Sequence, residues 1–201
     1  MACPVHVRVE QEPGNPNVTT GKRLGMTMND NLIIRRERPG EEAAVYDVNR
    51  RAFGSDAEPE LVESIRASEG FIPELSLVAE QDGAIVGHIL FSLVAIRTED
   101  GDVPALTLAP VAVLPEFQNR RIGSALIEQG LTRARELGHE LVLLIGHPWY
   151  YPRFGFRPAG PLGIKYPKHI REEVFMVYEL VPGAIERAQG TLVYPPAFDE
   201  D

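Results

Sequence analysis

A predicted strand that runs directly into a helix constrains this chain more than any other stretch. The apolar run Ala105–Val113 predicts a buried strand, Pro115 and Glu116 predict a turn, and a helical pattern begins near Arg120. The first N–H groups of a helix have no partner within the helix, and the helix dipole is positive there. A buried strand that leads into a helix N-terminus therefore predicts a site for an anion.

Residues in the turn make phosphate a suitable anion. Gly123 has no Cβ, so a ligand can approach the backbone closely, and Arg120 and Arg121 bring two positive charges. The alternative is an ordinary strand-to-helix connection with solvated arginines, and the spacing alone leaves both readings open. A P-loop nucleotide enzyme is excluded, because no Gly-Lys-Ser/Thr follows the turn.

The turn resembles the coenzyme A loop of the GNAT superfamily, the acetyl-CoA-dependent N-acetyltransferases. Their signature is Gln/Arg-x-x-Gly-x-Gly/Ala after a strand that ends in Val-x-Pro. This chain has Val113-Leu114-Pro115 followed by Gln118-Asn119-Arg120-Arg121-Ile122-Gly123. Arg121 stands where the signature has its first glycine. We expect Arg121 to present its N–H from an ordinary helical conformation, with its side chain turned outward.

A second stretch, Tyr150–Arg157, resembles the Tyr-x-x-x-Gly-Phe element of the same superfamily. Segments Glu74–His88 and Thr191–Phe198 are similar to a YhbS-like subgroup of bacterial predicted acetyltransferases. The resemblance covers roughly residues 32–198, which we interpret as a single N-acetyltransferase domain. The preceding extension, Met1–Asn31, is rich in Pro, Gly, Asn and Thr and is predicted to be poorly ordered.

The resemblance implies a mixed α/β fold with a central, mostly antiparallel sheet, one splayed parallel strand pair and about four flanking helices. The residue pattern agrees, because a strand, a helix and a strand in succession between Ala105 and Ile145 predict a parallel pair. Strands are predicted at Leu32–Arg36, Ser76–Glu80, Ala84–Arg97, Ala105–Val113, Leu141–Ile145, Val174–Val181 and Thr191–Tyr194. Helices are predicted up to Phe53, over Glu58–Ser68 and over Arg121–Leu137.

Pro110 lies in the middle of the strand that precedes the turn. Proline cannot donate a ladder hydrogen bond, so it predicts a bulge. The resemblance implies that the strand splays here to admit the thioester, and that the N–H of Val111 or a neighbour binds the acetyl oxygen. It also implies contacts of acetyl-CoA with Val111, Ala112, Val113, Gln118, Asn119, Arg120, Arg121, Ile122, Gly123, Ser124 and Tyr151.

Tyr151 occupies the tyrosine position of the second element, four residues before Gly155. The resemblance implies that its phenol hydrogen-bonds the coenzyme sulfur and protonates the leaving thiolate. One alternative is an aromatic core cluster that includes Trp149. Another is that Tyr150 takes the role, if the correspondence is shifted by one residue.

Two histidines are candidates for the base that deprotonates the amine. His88 lies inside a long apolar run, which indicates either a buried, hydrogen-bonded histidine or a base that reaches the amine through water. His147 follows Leu141–Ile145 at the carboxyl end of a predicted strand, where α/β sites gather. No two of the 5 histidines have metal-ligand spacing, so no metal is predicted.

Composition narrows the partners and the compartment. The net charge of −9 argues against nucleic acid or an anionic membrane as partner, and it weakly favours a cationic amine. The single cysteine, Cys3, excludes internal disulfides, and no apolar run approaches the ~20 residues of a membrane span. The chain is therefore predicted to be cytoplasmic.

We predict an acetyl-CoA-dependent N-acetyltransferase in which a small-molecule or protein amine attacks the thioester directly. One alternative is a transferase for another acyl-CoA, such as succinyl-CoA, which the slot beside Leu108 and Val111 would decide. Another is a non-catalytic acyl-CoA-binding or sensing domain. The sequence leaves the amine and the oligomeric state open, with a homodimer among the alternatives.

Overall fold

The computed structural model describes residues 31–198, so the predicted extension lies outside the described residues except for Asn31. Within this range the chain forms nine strands and four α-helices. The strands are β1 Leu32–Arg36, β2 Phe71–Gln81, β3 Ala84–Thr98, β4 Gly101–Val113, β5 Leu141–Ile145, β6 Arg157–Pro158, β7 Ile164–Lys165, β8 Phe175–Glu179 and β9 Gly190–Val193. The helices are α1 Glu42–Phe53, α2 Ala57–Arg66, α3 Ile122–Glu136 and α4 Ala184–Arg187.

All described strands join one sheet, which is mixed and mostly antiparallel. The order is β1-β2-β3-β4-β5-β8-β6, and β9 pairs with the last part of β3 and with β7. Strands β4 and β5 are parallel, as predicted, with α3 as the crossover between them. The two-residue contact of β7 with β9 is also parallel, which the sequence did not predict. The predicted fold class is otherwise confirmed.

The helices cover opposite faces of the sheet because alternate residues of a strand point to opposite sides. Helix α3 packs on one face, where a Cβ on Gly87 would lie 3.1 Å from Leu126 Cδ1. Helices α1 and α2 pack on the other face, where Val45 and Val62 cluster with Leu90. None of the helices within residues 31–198 is long and apolar enough to cross a membrane.

Some boundaries differ from the prediction for local reasons. Strand β2 begins at Phe71 rather than Ser76, and its pairing with β3 is irregular between these residues. Strand β4 begins at Gly101 rather than Ala105, so that only a tight turn at Glu99 and Asp100 joins it to β3. Strands β6 and β7 and helix α4 were not predicted, since elements of two to four residues are too short to show a periodicity.

The predicted bulge in β4 is present at Pro110. Ile89 of β3 pairs with Val111, and Phe91 pairs with Leu108, so Ala109 and Pro110 together stand opposite one residue of β3. Two residues against one define a β-bulge, and a bulge bends its strand locally. The fold thus changes the course of β4 immediately before the turn that leads into α3.

Candidate active site

A gap between β4 and β5 forms the centre of the site. The two strands pair only at Leu106 with Val142 and at Thr107 with Leu143. Beyond Thr107, β4 continues to Val113 without β5 beside it. The predicted residues Val111, Ala112 and Val113 therefore lie on a strand edge that β5 does not cover.

The turn after β4 has an unusual backbone, which corrects one expectation. Arg121 has φ 64° and ψ 11°, so it is left-handed rather than ordinarily helical, and Asn119 is also left-handed with φ 61°. Asparagine tolerates this conformation better than arginine does. The prediction for Arg121 was wrong because it assumed that α3 includes this residue. Instead, Arg121 precedes Ile122, and its carbonyl accepts the N–H of Ala125 at 3.0 Å.

Two side chains of the turn hydrogen-bond to nearby backbone carbonyls. Gln118 donates from Nε2 to the carbonyl of Val113 at 3.0 Å, which links the turn to the end of β4. Arg120 donates to the carbonyl of Glu116 at 2.9 Å, and its guanidinium lies 5.1 Å from the Phe117 ring centroid. The turn that precedes the first N–H groups of α3 is thus held in place by hydrogen bonds from its own side chains.

Gly123 lies in the first turn of α3 directly beneath Tyr150. A Cβ on Gly123 would be 3.4 Å from the Tyr150 hydroxyl oxygen and 3.8 Å from Val113 Cγ2. The guanidinium of Arg153 lies 3.7 Å from the Tyr150 ring centroid and donates to Ser124 Oγ at 3.5 Å. Arg153 thereby adds a positive charge at this helix N-terminus, which the sequence analysis did not foresee.

Tyr151 is wholly buried beside the end of β5. A Cβ on Gly146 would be 2.4 Å from Tyr151 Cε2, so only glycine leaves room for this ring. Among the described residues the Tyr151 hydroxyl has no hydrogen-bond partner. Burial, with a smaller effect of Tyr150, raises the pKa of the Tyr151 phenol well above 10. The phenol therefore remains a hydrogen-bond donor at neutral pH.

The aromatic-cluster alternative also describes part of this geometry. The Tyr151 ring centroid lies 5.2 Å from that of Tyr150 and 5.6 Å from that of Phe156. The packing fixes the ring, but within residues 31–198 it leaves the hydroxyl without a hydrogen-bond partner. A buried donor without a partner is rare in folded proteins and calls for an acceptor from elsewhere.

His147 lies next to the gap and is only half-buried. Its carbonyl accepts the N–H groups of Tyr150 at 3.0 Å and Tyr151 at 3.4 Å, so it begins the turn that positions both tyrosines. Its ring stacks on the exposed Trp149 at a centroid distance of 5.3 Å. His147 is thus accessible from solvent.

His88 lies in a buried polar network between β3 and α1. Its Nδ1 accepts from Asn49 Nδ2 at 3.0 Å, and its Nε2 lies 3.1 Å from Ser76 Oγ. The Ser76 hydroxyl donates to Glu37, so its oxygen accepts the proton on His88 Nε2. These bonds assign the neutral Nε2–H tautomer. Glu37 is in turn paired with Arg66 at 3.0 Å.

This network removes His88 from the chemistry of the gap. Burial, with the nearby charge of Arg66, lowers the pKa of His88 to about 3. Both ring nitrogens already have partners, and the side chain is wholly buried. The structure therefore brings together the gap, the turn, Tyr151 and His147, but not the His88 ring.

A cavity of about 350 Å³ lies on the sheet face opposite α3. One wall is Phe175, which pairs with Ile145 at the end of β5 and packs in the cluster away from α3. Other lining residues are Gly160, Ile164, Lys165, Lys168, His169 and Glu172. An adjoining cavity of about 400 Å³ shares Tyr166 and Lys168 with the first.

The family follows from a match that includes the strand, the turn and both tyrosines. Residues 33–159 match the family model described as the acetyltransferase (GNAT) domain, and this span is more than half of the chain. The chain belongs to the GNAT family. The predicted resemblance is confirmed.

Curated relatives of this GNAT chain include two uncharacterized N-acetyltransferases of Escherichia coli (strain K12). YjhQ is 42% identical over 130 residues, which cover 64% of this chain and 72% of YjhQ. YhbS is 32% identical over 169 residues, which cover 84% of this chain and 99% of YhbS. The similarity to YhbS agrees with the predicted subgroup.

Two solved GNAT structures are similar over most of this chain. Escherichia coli YhbS, in complex with CoA, has a TM-score of 0.77 at 29% identity and covers 90% of this chain and 96% of its own. A GNAT acetyltransferase of Brucella melitensis, in complex with acetyl-CoA, has a TM-score of 0.69 at 35% identity and covers 84% and 98%.

Several residues beside the turn and the first cavity were not predicted from the sequence. Arg153 was quoted only as part of a motif, and Lys165, Lys168 and Glu172 were not singled out. The cavity that these three residues line is closed by Phe175 of β8, a contact that sequence spacing does not show. Across the described part of the chain, no three His, Cys, Asp or Glu side chains cluster closely enough to hold a metal ion.

Proposed function

We propose that this GNAT chain binds acetyl-CoA at the N-terminus of α3 and transfers its acetyl group directly to a primary amine. The observation that carries the proposal is the gap between β4 and β5 beyond Thr107, with the unpaired Tyr151 hydroxyl at the end of β5. The turn into α3 and the first cavity lie on opposite faces of the sheet. Two structural relatives were solved with CoA and with acetyl-CoA, which supports the choice of coenzyme.

The α3 N-terminus supplies the anion site. The backbone N–H groups of Ile122, Gly123 and Ser124 lack partners within the helix and receive the pyrophosphate. Arg121 and Arg153 contribute positive charge beside these groups. The exposed position of Arg121 lets its side chain reach phosphate without crowding the backbone.

The uncovered edge of β4 holds the pantetheine arm and the acetyl group. Between Leu108 and Val113 this edge has no β5 partner, so its peptide groups are available to the amides of the arm. The N–H of Val111, which follows the bulge at Pro110, stabilises the oxyanion that forms when the amine attacks. The bulge fixes this donor before the negative charge develops.

Tyr151 and His147 handle the protons. The Tyr151 phenol stays protonated and donates a hydrogen bond to the sulfur as the thiolate leaves. His147, half-buried and next to the gap, accepts a proton from the substrate ammonium directly or through water, and the neutral amine then attacks the thioester carbonyl. His88 instead positions α1 against the sheet, because its two nitrogens are already occupied.

The direct test is an acetyl-transfer assay with the full chain, acetyl-CoA and a panel of primary amines. Thiol release is followed together with the mass of each amine. The proposal predicts thiol release that depends on the amine and yields an amine heavier by one acetyl group. Succinyl-CoA in the same assay tests the other acyl donor. Saturable coenzyme binding without transfer to any amine would instead favour a binding or sensing domain.

A further inference from the structure

We infer that the amine acetylated at this site carries an anionic group, a carboxylate or a phosphate, which Lys165 and Lys168 bind. The inference rests on the proposed function and adds the chemical class of the acceptor. It starts from the charge around the two adjoining cavities on the sheet face opposite α3.

The position of the first cavity suits an acceptor. Its wall residue Phe175 pairs with Ile145, and the next N–H along the chain, that of Gly146, donates to the carbonyl of Val174 at 2.9 Å. Gly146 is the residue against which the Tyr151 ring lies. An amine held in this cavity therefore reaches the end of β5 from the side opposite the coenzyme turn.

The charged residues that line the cavities are mainly positive, whereas the chain as a whole is acidic. Lys165 and Lys168 are the only lysines in the described part of a chain whose net charge is −9. Both line the first cavity, and Lys168 also lines the second. Neither ammonium group forms an ion pair with a carboxylate among residues 31–198, whereas Arg97 beside them is paired with Asp102 at 3.2 Å.

The other charged groups that line the two cavities leave the net charge of the lining positive. Among residues 31–198, Glu172 is the one carboxylate that lines either cavity, and His169 also lines the first. Two unpaired ammonium groups and one carboxylate make this a region that attracts an anion and repels a second cation. The net charge of the whole chain weakly favoured a cationic amine, whereas the charges at this place favour an amine that also carries an anionic group.

Aromatic rings complete the surroundings. The Tyr166 ring centroid lies 5.4 Å from that of Phe175 and 6.1 Å from that of Tyr194. Rings bordered by cations form a place for a flat apolar group that ends in an anion. An aromatic carboxylate is therefore a suitable probe even before the natural acceptor is identified.

The test compares two probes that differ only in charge. Binding of 4-fluorophenylacetate and of neutral 4-fluorophenylacetamide is followed by fluorine NMR, with and without saturating CoA. We expect the carboxylate to bind roughly tenfold tighter than the amide. We expect the preference to disappear in the Lys165→Ala/Lys168→Ala double variant and to persist in Lys165→Arg/Lys168→Arg, which keeps both charges.

Two controls distinguish a failure of this inference from a failure of the proposed function on which it rests. Arg50→Ala/Arg187→Ala removes two exposed charges elsewhere and should leave the preference intact. Calorimetric CoA binding should be unchanged in the double alanine variant, so a failure of coenzyme binding in wild type is recognised separately. Equal binding of the two probes, a preference that survives loss of both lysines, or no carboxylate binding up to ~10 mM would overturn the inference.

Discussion

Arg121 shows at the scale of one residue why the family signature has a glycine at this position. Its φ of 64° lies in the left-handed region, where an L side chain costs roughly 1–2 kcal/mol. Glycine has no such cost. The chain adopts this backbone conformation with an arginine, which also brings a charged side chain beside the proposed anion site.

Replacing this arginine gives a testable change in stability. Arg121→Gly relieves the left-handed strain but adds backbone entropy to the unfolded chain, so we expect a net gain of about 0.5–1 kcal/mol. Denaturant unfolding measures it. Arg120→Gly is the matched control, because Arg120 is not among the left-handed residues and should lose stability. Equal losses of stability in both variants would contradict the expectation that the backbone of Arg121 is strained.

Tyr151→Phe separates catalysis from packing. The lost hydroxyl has no partner in the described protein, so stability should stay within about 0.5 kcal/mol. Amine-dependent thiol release should fall roughly 10²-fold, because the leaving group loses its donor. Tyr178→Phe, in the same aromatic region, should keep the rate.

Kinetics of Tyr150→Phe then decide between the two adjacent tyrosines. If Tyr150→Phe loses the rate while Tyr151→Phe keeps it, the leaving-group role belongs to Tyr150. If neither variant changes thiol release, the phenol has no part in the chemistry.

At the scale of elements, Gly130 sets the distance between α3 and the sheet. A Cβ there would lie 2.3 Å from Phe91 Cε2, and Phe91 is wholly buried. Gly130→Ala should therefore destabilise the protein by roughly 1–3 kcal/mol and weaken CoA binding through a displaced helix. The exposed neighbour Gln129→Ala should do neither. Unchanged stability in Gly130→Ala would show that α3 can shift freely.

The network around His88 links α1 to β2 and β3 and should appear in the pH dependence of stability. Burial lowers the pKa of His88 to about 3 in the folded state, against about 6.5 when unfolded. Between these values the unfolded chain binds a proton that the folded chain does not. The unfolding free energy should therefore fall with decreasing pH by up to ~1.4 kcal/mol per unit from this group.

His88→Gln tests this linkage. Above about pH 6.5 the contribution of His88 is constant, so the variant and wild type should have parallel profiles there. Between about pH 6 and pH 4.5 the slope of wild type should exceed that of the variant. Identical slopes over that interval would mean that His88 is protonated in the folded protein.

The elements that were predicted correctly are those whose own residues show a local sequence pattern. Strands β1 and β5 have the predicted bounds, and Asp82-Gly83, a pair that is typical of hairpin turns, joins β2 to β3 with both φ angles positive. The bulge was predicted from Pro110 alone, and the structure contains it. The His88 network was not, because its hydrogen bonds join residues separated by 12 and 39 positions. The left-handed Arg121 was missed because nothing in a non-glycine residue signals that conformation.

At the scale of the whole molecule, the sheet separates two positively charged places in an acidic chain. One is the turn at the start of α3, with Arg121 and Arg153. The other is the cavity with Lys165 and Lys168 on the opposite face. In the proposed function the coenzyme and the amine bind from these opposite faces of the sheet and meet at the end of β5. Such positioning supplies much of the rate in a direct transfer.

The central claim, that the turn into α3 is the coenzyme site, is tested most directly by calorimetric titration with CoA. Wild type is compared with Gly123→Glu, which places a bulky carboxylate at the proposed phosphate position beneath Tyr150. Gln129→Glu adds the same charge on the exposed side of the same helix and serves as the control. We predict saturable binding to wild type and to Gln129→Glu, and a loss of at least roughly 100-fold in affinity in Gly123→Glu. Equal affinity in Gly123→Glu, or no binding to wild type, would contradict the account.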